Sequence, residues 1–152
     1  MTDEQNPNES QREIFQIFTE IGIIEQLSTA YFNKVLPDGV HVSHFAVISH
    51  LVRMGDSQTP VEITSAMQVT KATMTHTLNV LQKRNLIDVR PNPDDGRSKQ
   101  VYLTTAGREF YTKAIQLVST AYQPILAKCD VPQLLAMLPG LQNLRKILDE
   151  NR

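Results

Sequence analysis

The chain of 152 residues contains a single cysteine, Cys129, and no tryptophan. One thiol excludes an internal disulfide and is typical of proteins that work in a reducing cytoplasm. No apolar run approaches the roughly 20 residues that a membrane-spanning helix needs, and residues 1–30 lack the basic-then-apolar order of a signal peptide. These absences favour a soluble, cytoplasmic protein with no membrane partner.

Catalytic and metal-binding motifs are also missing from the sequence. It has no glycine-rich phosphate loop and no closely spaced nucleophile and base, so an enzyme is not expected. His41, His44 and His50 lie close together in sequence, but His44 and His50 are six residues apart. Two ligands share one helix face when they are three or four residues apart. We therefore expect neither a metal site nor a cofactor.

The charges are unevenly distributed along the chain. The net charge of −1 argues against a protein that binds nucleic acid without regard to sequence. However, residues 1–30 hold six acidic residues and one base, whereas residues 71–108 hold seven bases and three acidic residues. The first segment would repel a polyanion and the second would attract one. Solvated helix faces often carry the same pattern, so charge alone leaves both interpretations open.

Hydrophobic periodicity and turn residues predict a mainly α-helical fold with one small β-hairpin. Apolar residues at helical spacing mark the helices, and alternation with β-branched residues marks the strands. The predicted helices are 10–36, 43–54, 60–67, 71–84, 105–128 and 131–150, and the predicted strands are 86–90 and 99–103.

Capping and breaking residues predict where some of these helices begin and end. Ser10 with Glu13 matches a capping box for the first helix, and Pro37-Asp38-Gly39 should end it. Asn85 stands where a left-handed residue commonly ends a helix. Pro139-Gly140 should kink the last helix or cut it in two.

Two short helices joined by the three residues 68–70 and followed by a hairpin indicate a winged helix-turn-helix. The second helix has the size of a helix that enters the major groove of DNA. Short hydroxyl or amide side chains on its outer face could contact base edges, with a lysine near its start for phosphate. The candidate DNA-binding residues of this region are Thr70, Lys71, Thr73, Thr75, His76 and Asn79, with Ala72 among the outward positions. A solvated helix also has polar outer residues, so this helix alone does not decide the function.

The loop between the two strands, residues 91–98, is longer than common hairpin loops and carries further candidates. Arg97 lies on a turn built by prolines, aspartates and a glycine, and a protruding arginine suits the minor groove. Asp95 is expected to hold the Arg97 guanidinium in a bidentate pair. Arg90 and Lys99, one on each strand, are placed to meet phosphates. A solvated loop with a surface ion pair is the alternative interpretation.

The segment NPDDGRSKQVYLTTAG, residues 92–107, resembles the wing signature of MarR-type transcriptional regulators. That signature reads roughly D-P-x-D-x-R-S-x-x-V-x-L-T-x-x-G. The matching positions are Pro93, Asp95, Arg97, Ser98, Val101, Leu103, Thr104 and Gly107. The order of the helices also fits this family over nearly the whole chain. The departures are Asn92 for Asp, Gly96 for a common Arg, Val89 at an often basic position and His76 at an often Arg position.

The resemblance implies a homodimer that binds a near-palindromic operator as a ligand-responsive repressor. It implies a helical dimerisation region formed by residues 1–36 and 104–152, and a winged helix-turn-helix DNA-binding region formed by residues 37–103. A small anionic or aromatic effector would bind between these regions. Tyr31, His44 and Arg53 are the residues that could contact it. The alternative is a winged-helix protein-interaction module that has weak or lost DNA binding.

Overall fold

A computed structural model of the protein describes residues 7–37 and 39–151. In these residues it has six helices and one two-stranded antiparallel sheet. Their bounds are α1 Pro7–Val35, α2 Val42–Met54, α3 Pro60–Met67, α4 Lys71–Lys83, β1 Ile87–Pro91, β2 Lys99–Leu103, α5 Thr105–Leu126 and α6 Val131–Glu150. The predicted fold, mainly α with a small β wing, is confirmed. The chain divides into two compact units, residues 1–117 and 118–152.

The short helix α3 begins and ends as its sequence predicts. Thr59 and Glu62 form a capping box, in which the Glu62 amide donates to the Thr59 hydroxyl at 3.2 Å and the Thr59 amide donates to the Glu62 carboxylate at 2.7 Å. The Thr59 amide and, at 2.8 Å, the Thr59 hydroxyl both donate to the Glu62 carboxylate and lower the pKa of Glu62, because they stabilise its charged form. Gln68 takes the left-handed conformation with φ 53° and turns the chain toward α4.

One prediction about helix ends is wrong, and another is wrong in one of its two alternatives. Helix α1 is already formed at Pro7, the first described residue, so Ser10 lies inside the helix and does not cap it. Helix α6 continues through Pro139 and is not cut in two there, while a kink at this residue stays a prediction. The proline removes one intrahelical hydrogen bond, and the carbonyl left at Leu135 lies in an exposed stretch where water can bond it.

The other predicted helix ends agree with the structure. α1 ends at Val35, and Gly39 follows with φ 77°, as a break at Pro37-Asp38-Gly39 requires. Asp38 itself lies outside the described residues. Asn85 takes φ 58°, the left-handed conformation predicted for it after α4.

One hydrophobic core holds α2, α3, α4 and the hairpin together. Apolar residues from each element are almost completely buried in it, so the relative positions of the helix-turn-helix and the wing depend on a shared interior. Its buried members are Val47, Ile48, Leu51, Ile63, Met74, Leu78, Leu81, Leu86, Ile87, Val101 and Leu103.

The hairpin is fastened to the rest of the first unit along β2. In the register of the sheet, Ile87 faces Leu103 and Val89 faces Val101. The Val101 amide donates to the Gln58 carbonyl at 2.9 Å, so the loop between α2 and α3 pairs with β2 on the side opposite β1. β2 is therefore hydrogen-bonded on both sides.

A second, smaller core connects the end of α1 to α2 and α5. Phe45 of α2 lies between the ring of Phe32 at 5.3 Å and the stacked ring of Tyr111 at 5.6 Å, measured between ring centroids. Leu36 and Ala114 are buried with them. Earlier in α1, the large apolar residues from Ile14 to Leu27 are exposed and are not part of this core.

Gly107 lies where α5 passes the backbone between α4 and β1. A Cβ atom at this position would overlap the carbonyl oxygen of Leu86 and crowd the Leu103 side chain. The same carbonyl accepts a hydrogen bond from the Thr104 amide at 3.2 Å, so it cannot move aside freely. Only glycine allows α5 to begin this close to the hairpin.

We expect Gly107→Ala to lower the free energy of unfolding by about 1–3 kcal/mol, because the added methyl group meets rigid backbone. Urea unfolding of the full chain measures this effect. Gly140→Ala is the matched control, since nothing lies within 4 Å of its Cβ position and an alanine inside a helix adds about 0.5–1 kcal/mol of stability. Equal unfolding midpoints for both variants would contradict the close approach.

Candidate DNA interface and ligand cavity

The predicted outer face of α4 is exposed in the structure. The exposed positions are Lys71, Ala72, Thr73, Thr75, His76 and Asn79. The opposite face is buried through Met74, Thr77, Leu78 and Leu81. α4 therefore presents a polar surface of short side chains that is supported from behind by the core.

The hydroxyl groups on this surface are already partly used by the helix itself. Thr70 caps α4, because its hydroxyl accepts from the Thr73 amide at 3.2 Å and bonds the Thr73 hydroxyl at 2.9 Å. The Thr75 hydroxyl donates to the Lys71 carbonyl at 2.8 Å. Lys71, His76 and Asn79 make no side-chain hydrogen bond within the part of the chain that the structure describes. They are the groups best able to form new bonds on this face.

The wing loop is built by its own hydrogen bonds. The backbone amide of Asn92 donates to the backbone carbonyl of Ser98 at 3.0 Å and closes the loop. The Asn92 side chain donates to the Ser98 hydroxyl at 3.0 Å and accepts from the Asp94 amide at 3.0 Å. Asn92, which departs from the aspartate usual in the wing signature, can do both because its amide is a donor as well as an acceptor.

The predicted ion pair between Asp95 and the Arg97 guanidinium is wrong. The Asp95 carboxylate instead accepts from the Arg97 backbone amide at 3.0 Å. This is the local bond that an aspartate commonly makes two residues along the chain, and it competes with bonding to a side chain. The Arg97 side chain is exposed and makes no ion pair within residues 7–37 and 39–151. Asp95 therefore shapes the turn and leaves the guanidinium available.

Arg90, by contrast, is held by Asp88 and Tyr102, which were not among the predicted site residues. Its Nε donates to the Asp88 carboxylate at 2.7 Å, and its guanidinium lies 5.1 Å from the centroid of the Tyr102 ring. Asp88 faces Tyr102 in the sheet, so all three side chains share one face. The hydrogen bond and the charge of Asp88 raise the pKa of Arg90. The spacing of Asp88 and Arg90 on one strand was the signal for this contact.

Lys99 lies at the start of β2, where it faces Pro91 across the hairpin. It is exposed and makes no ion pair with any of the described residues. Arg97, Lys99 and the guanidinium end of Arg90 thus place three cations on a short stretch of the wing.

A cavity of about 720 Å³ lies in the first unit among α1, α2, α3 and α5. Its wall is mainly apolar and aromatic, with a few hydroxyl groups and two basic residues. The lining residues are Ser28, Thr29, Phe32, Val42, Phe45, Ala46, Ser49, His50, Val52, Arg53, Met67 and Tyr111. Arg53 is the one predicted ligand residue that lines this cavity. Tyr31 and His44 do not line it, and His50 does.

His44 has a structural role at the start of α2. It is buried, and its Nδ1 accepts from the His41 amide at 3.0 Å as part of a capping box. Burial lowers the pKa of His44, and the positive charges of His41, His76 and Arg84 lower it further. A protonated Nδ1 could not accept the His41 hydrogen bond, so the cap requires neutral His44.

Neither a membrane-spanning helix nor a metal-binding cluster is found among the described residues. No helix in residues 7–37 and 39–151 is long and apolar enough to cross a membrane. In the same residues, no three His, Cys, Asp or Glu side chains are grouped in a way that could hold a metal ion.

Residues 38–98 match the sequence model of the MarR family. The match covers α2, α3, α4, β1 and the wing loop. A comparison with curated protein sequences gave no match.

Solved structures of MarR regulators share the fold of this chain. A MarR transcriptional regulator from Methanosarcina mazei Go1 aligns with a TM-score of 0.78 at 18% identity, over 90% of this chain and 98% of its own. A mutant MarR from E. coli complexed with operator DNA aligns with a TM-score of 0.71 at 24% identity, over 87% and 95%. BpsR from Bordetella bronchiseptica, whose DNA binding is regulated by 6-hydroxynicotinic acid, aligns with a TM-score of 0.71 at 22% identity, over 86% and 98%.

The His44 cap predicts that acid destabilises the protein. Because the folded-state pKa of His44 lies below its usual value of 6.5, the unfolded chain binds the proton first. The stability that neutral His44 contributes is complete above about pH 6.5 and is lost as the pH falls toward the lower folded value. We expect the melting temperature to fall over this range.

His44→Gln tests this prediction, because glutamine can accept the His41 hydrogen bond but cannot be protonated. The melting temperature of the variant should depend less on pH than that of the wild type. His41→Gln keeps His44 and removes one of the charges that lower its pKa, so it should retain most of the wild-type pH dependence, which comes first from burial. If the His44 variant keeps the full wild-type pH dependence, the cap does not titrate.

Proposed function

We propose that the protein is a homodimeric transcriptional repressor of the MarR family, whose sequence model matches residues 38–98. It binds a near-palindromic operator through α4 and the wing, and it releases the operator when a small molecule binds. The observation that carries the proposal is the combination of an exposed polar α4 face with a wing whose Arg97 guanidinium is available. The single Cys129 suits action in a reducing cytoplasm.

In this proposal α4 reads the major groove. Lys71 at the start of the helix contacts phosphate, and Asn79 and His76 contact base edges. Thr75 and Thr73 approach the DNA with hydroxyl groups whose remaining acceptor sites are available, while Thr70 holds the first turn of the helix. The exposed polar face and its buried support favour this arrangement over a loosely packed surface helix.

The wing contacts the adjacent minor groove and backbone. Arg97 enters the minor groove, whose negative potential attracts a guanidinium, and Asp95 keeps the turn that presents it. Lys99 and Arg90 contact phosphates. Asp88 and Tyr102 fix the Arg90 guanidinium before DNA arrives, so less side-chain freedom is lost on binding.

Arg97→Ala should weaken operator binding without changing stability, since the side chain is exposed and unpaired within the described residues. Fluorescence anisotropy against duplex from the region beside the protein's own gene measures this, with scrambled duplex alongside. Lys113→Ala is the control, because it removes the same charge from an exposed position on α5. We expect the wild-type affinity to fall steeply with salt, because bound phosphates release counterions.

Two results would count against this function. Equal affinity of Arg97→Ala and Lys113→Ala for the operator would remove Arg97 from the interface. Equal, salt-insensitive binding of operator and scrambled duplex by the wild type would favour the protein-interaction module. A selection from genomic fragments then separates a distant operator from a complete loss of DNA binding.

The proposed dimer is formed by residues 1–36 and 104–152, while residues 37–103 bind DNA. Along α1, four isoleucines with spacings of three and four residues are exposed, which is the pattern of a helix that packs against another helix. They are Ile14, Ile17, Ile21 and Ile24. α6 likewise has no buried residue and exposes most of its leucines. Exposed apolar surface of this extent marks an interface.

Sedimentation should show a particle of twice the 17.2 kDa chain mass at micromolar concentration. Ile24→Glu should shift it toward the monomer, because it places a charge in the isoleucine row. Gln26→Glu adds the same charge on the opposite face of α1 and should leave the dimer unchanged. A folded wild-type monomer at this concentration would contradict the proposal.

The proposed effector site is the cavity among α1, α2, α3 and α5. Its volume of about 720 Å³ lies within the usual range for small-molecule sites. Arg53 lines it and suits an anionic group. BpsR, which has the same fold, is regulated by a small aromatic acid, and this supports an effector of similar size here.

A further inference from the structure

The loop between α2 and α3 is bonded to β2 at three points. The Ser57 amide donates to the Val101 carbonyl at 3.2 Å, and the Val101 amide donates to the Gln58 carbonyl at 2.9 Å. The third bond uses a side chain, because the Leu103 amide donates to a carboxylate oxygen of Asp56 at 2.9 Å. The Asp56 carboxylate therefore extends the attachment of this loop to the last residue of β2.

The backbone around Asp56 has an uncommon conformation. Gly55 and Ser57, the residues on either side of it, have positive φ angles of 88° and 78°. A serine rarely adopts such an angle, and a residue in this conformation persists only where the surrounding structure holds it. The bonds between this loop and β2 therefore hold Ser57 in a conformation that it would not favour alone.

The second carboxylate oxygen of Asp56 pairs with Arg108 in the first turn of α5. One side chain thus joins three segments, which are the α2–α3 loop, the end of β2 and the beginning of α5. Both side chains remain partly exposed, 32% for Asp56 and 54% for Arg108. Because an exposed ion pair contributes little to stability, stability alone is a weak explanation for the charge of Asp56. The segments that it joins indicate another role.

Asp56 acts on the direction of β2 as well as on its location. The bonds from Ser57 and Gln58 hold the strand at Val101, and a strand held at one point can rotate about that point. Leu103 lies two residues further, roughly 7 Å along the strand. Its bond to Asp56 therefore limits the rotation of β2 about Val101.

The wing loop lies at the far end of the hairpin, so a small rotation at the base becomes a larger shift at the tip. Lys99 is four residues from Leu103, and Arg97 lies in the loop beyond it. At about 3.3 Å per residue this separation is roughly 13 Å, so a rotation of about 10° would move Lys99 by about 2 Å. Hydrogen bonds form over a range of only about 0.5 Å in length. A contact with DNA at the tip thus depends on the angle at the base.

We propose that Asp56 is the positioning residue of the wing and holds β2 at the angle from which Arg97 and Lys99 reach DNA. Asp56 makes no contact with DNA itself. It acts through its bonds to Leu103 and Arg108, while the two cations of the wing make the contacts. The inference rests on the proposed function and adds a residue that supports DNA binding from behind the wing.

Operator titration of Asp56→Ala by fluorescence anisotropy tests the proposal, because two possible effects have opposite signs. Removal of a negative charge should by itself raise the affinity for DNA. A displaced wing should lower it, and we expect operator affinity to fall about tenfold, roughly the loss of one hydrogen bond to a charged group.

Glu109→Ala is the matched control for charge. It removes a carboxylate from an exposed position next to Arg108, and Glu109 makes no ion pair with any of the described residues. Its operator affinity should equal or slightly exceed that of the wild type.

Two further variants separate positioning from a merely structural role. Asp56→Asn can still accept the Leu103 hydrogen bond, so it should restore most of the affinity that Asp56→Ala loses. Arg97→Ala should weaken binding less in the Asp56→Ala background than in the wild type, because a displaced wing no longer presents Arg97 to the groove. All titrations are made well below the melting temperature of each variant, so lower stability alone does not produce this non-additivity.

Amide hydrogen exchange of the chain without DNA gives a second measurement that does not depend on an operator. The Leu103 amide should exchange faster in Asp56→Ala than in the wild type or in Asp56→Asn. The amide of Leu78, in the middle of α4, should exchange at the same rate in all three, because the change at the wing base is local.

Each contrary result overturns a defined part of the proposal. Wild-type or higher operator affinity in Asp56→Ala, or full additivity with Arg97→Ala, removes the positioning role. A Leu103 amide that exchanges at the wild-type rate in Asp56→Ala removes the attachment on which that role depends. A wild-type protein that binds no operator refutes the proposed function, whereas the exchange of Leu103 still decides whether Asp56 holds the wing.

Discussion

The two ends of the hairpin meet at one junction, and the position of the wing depends on it. The carbonyl of Asn85 accepts from the Thr104 hydroxyl at 2.6 Å, and the carbonyl of Leu86 accepts from the Thr104 amide at 3.2 Å. Gly107 packs directly against the same Leu86 carbonyl. The segment that leaves α4 is thus bonded to the segment that enters α5, so the base of the hairpin is fixed beside the end of α4.

The first unit contains two kinds of surface with different physical characters. Around the α4 face and the wing, exposed groups are polar or charged and the apolar residues are buried behind them. Along α1, large apolar residues are exposed over several turns. A monomer in water gains nothing from that arrangement, since exposed apolar area costs free energy until it is covered. This contrast is the reason for proposing DNA contact at one part of the chain and self-association at another.

Local signals in the sequence predicted nearly all of the fold. The helices and strands lie within a few residues of their predicted bounds because hydrophobic periodicity and helix-breaking residues act over short distances. The site was less predictable where a side chain had two possible partners. Asp95 could bond the Arg97 guanidinium or its backbone amide, and only the folded turn distinguishes them. His44 and His50 look alike in sequence, but one caps α2 and the other lines the cavity, because the packing of α1 and α5 decides which side of α2 is covered. No local pattern contains that information.

The hairpin also has one edge without a neighbour among the described residues. β2 is bonded by β1 on one side and by Gln58 on the other, while β1 has only β2. An unpaired edge is a template on which another strand can add. Here the edge strand has only five residues and ends in Arg90 and Pro91. The charge resists burial and the proline cannot donate to a ladder. The short, charged strand that ends in proline therefore protects the wing against edge-to-edge aggregation. Arg90 contributes to this protection and also to the charged surface of the wing.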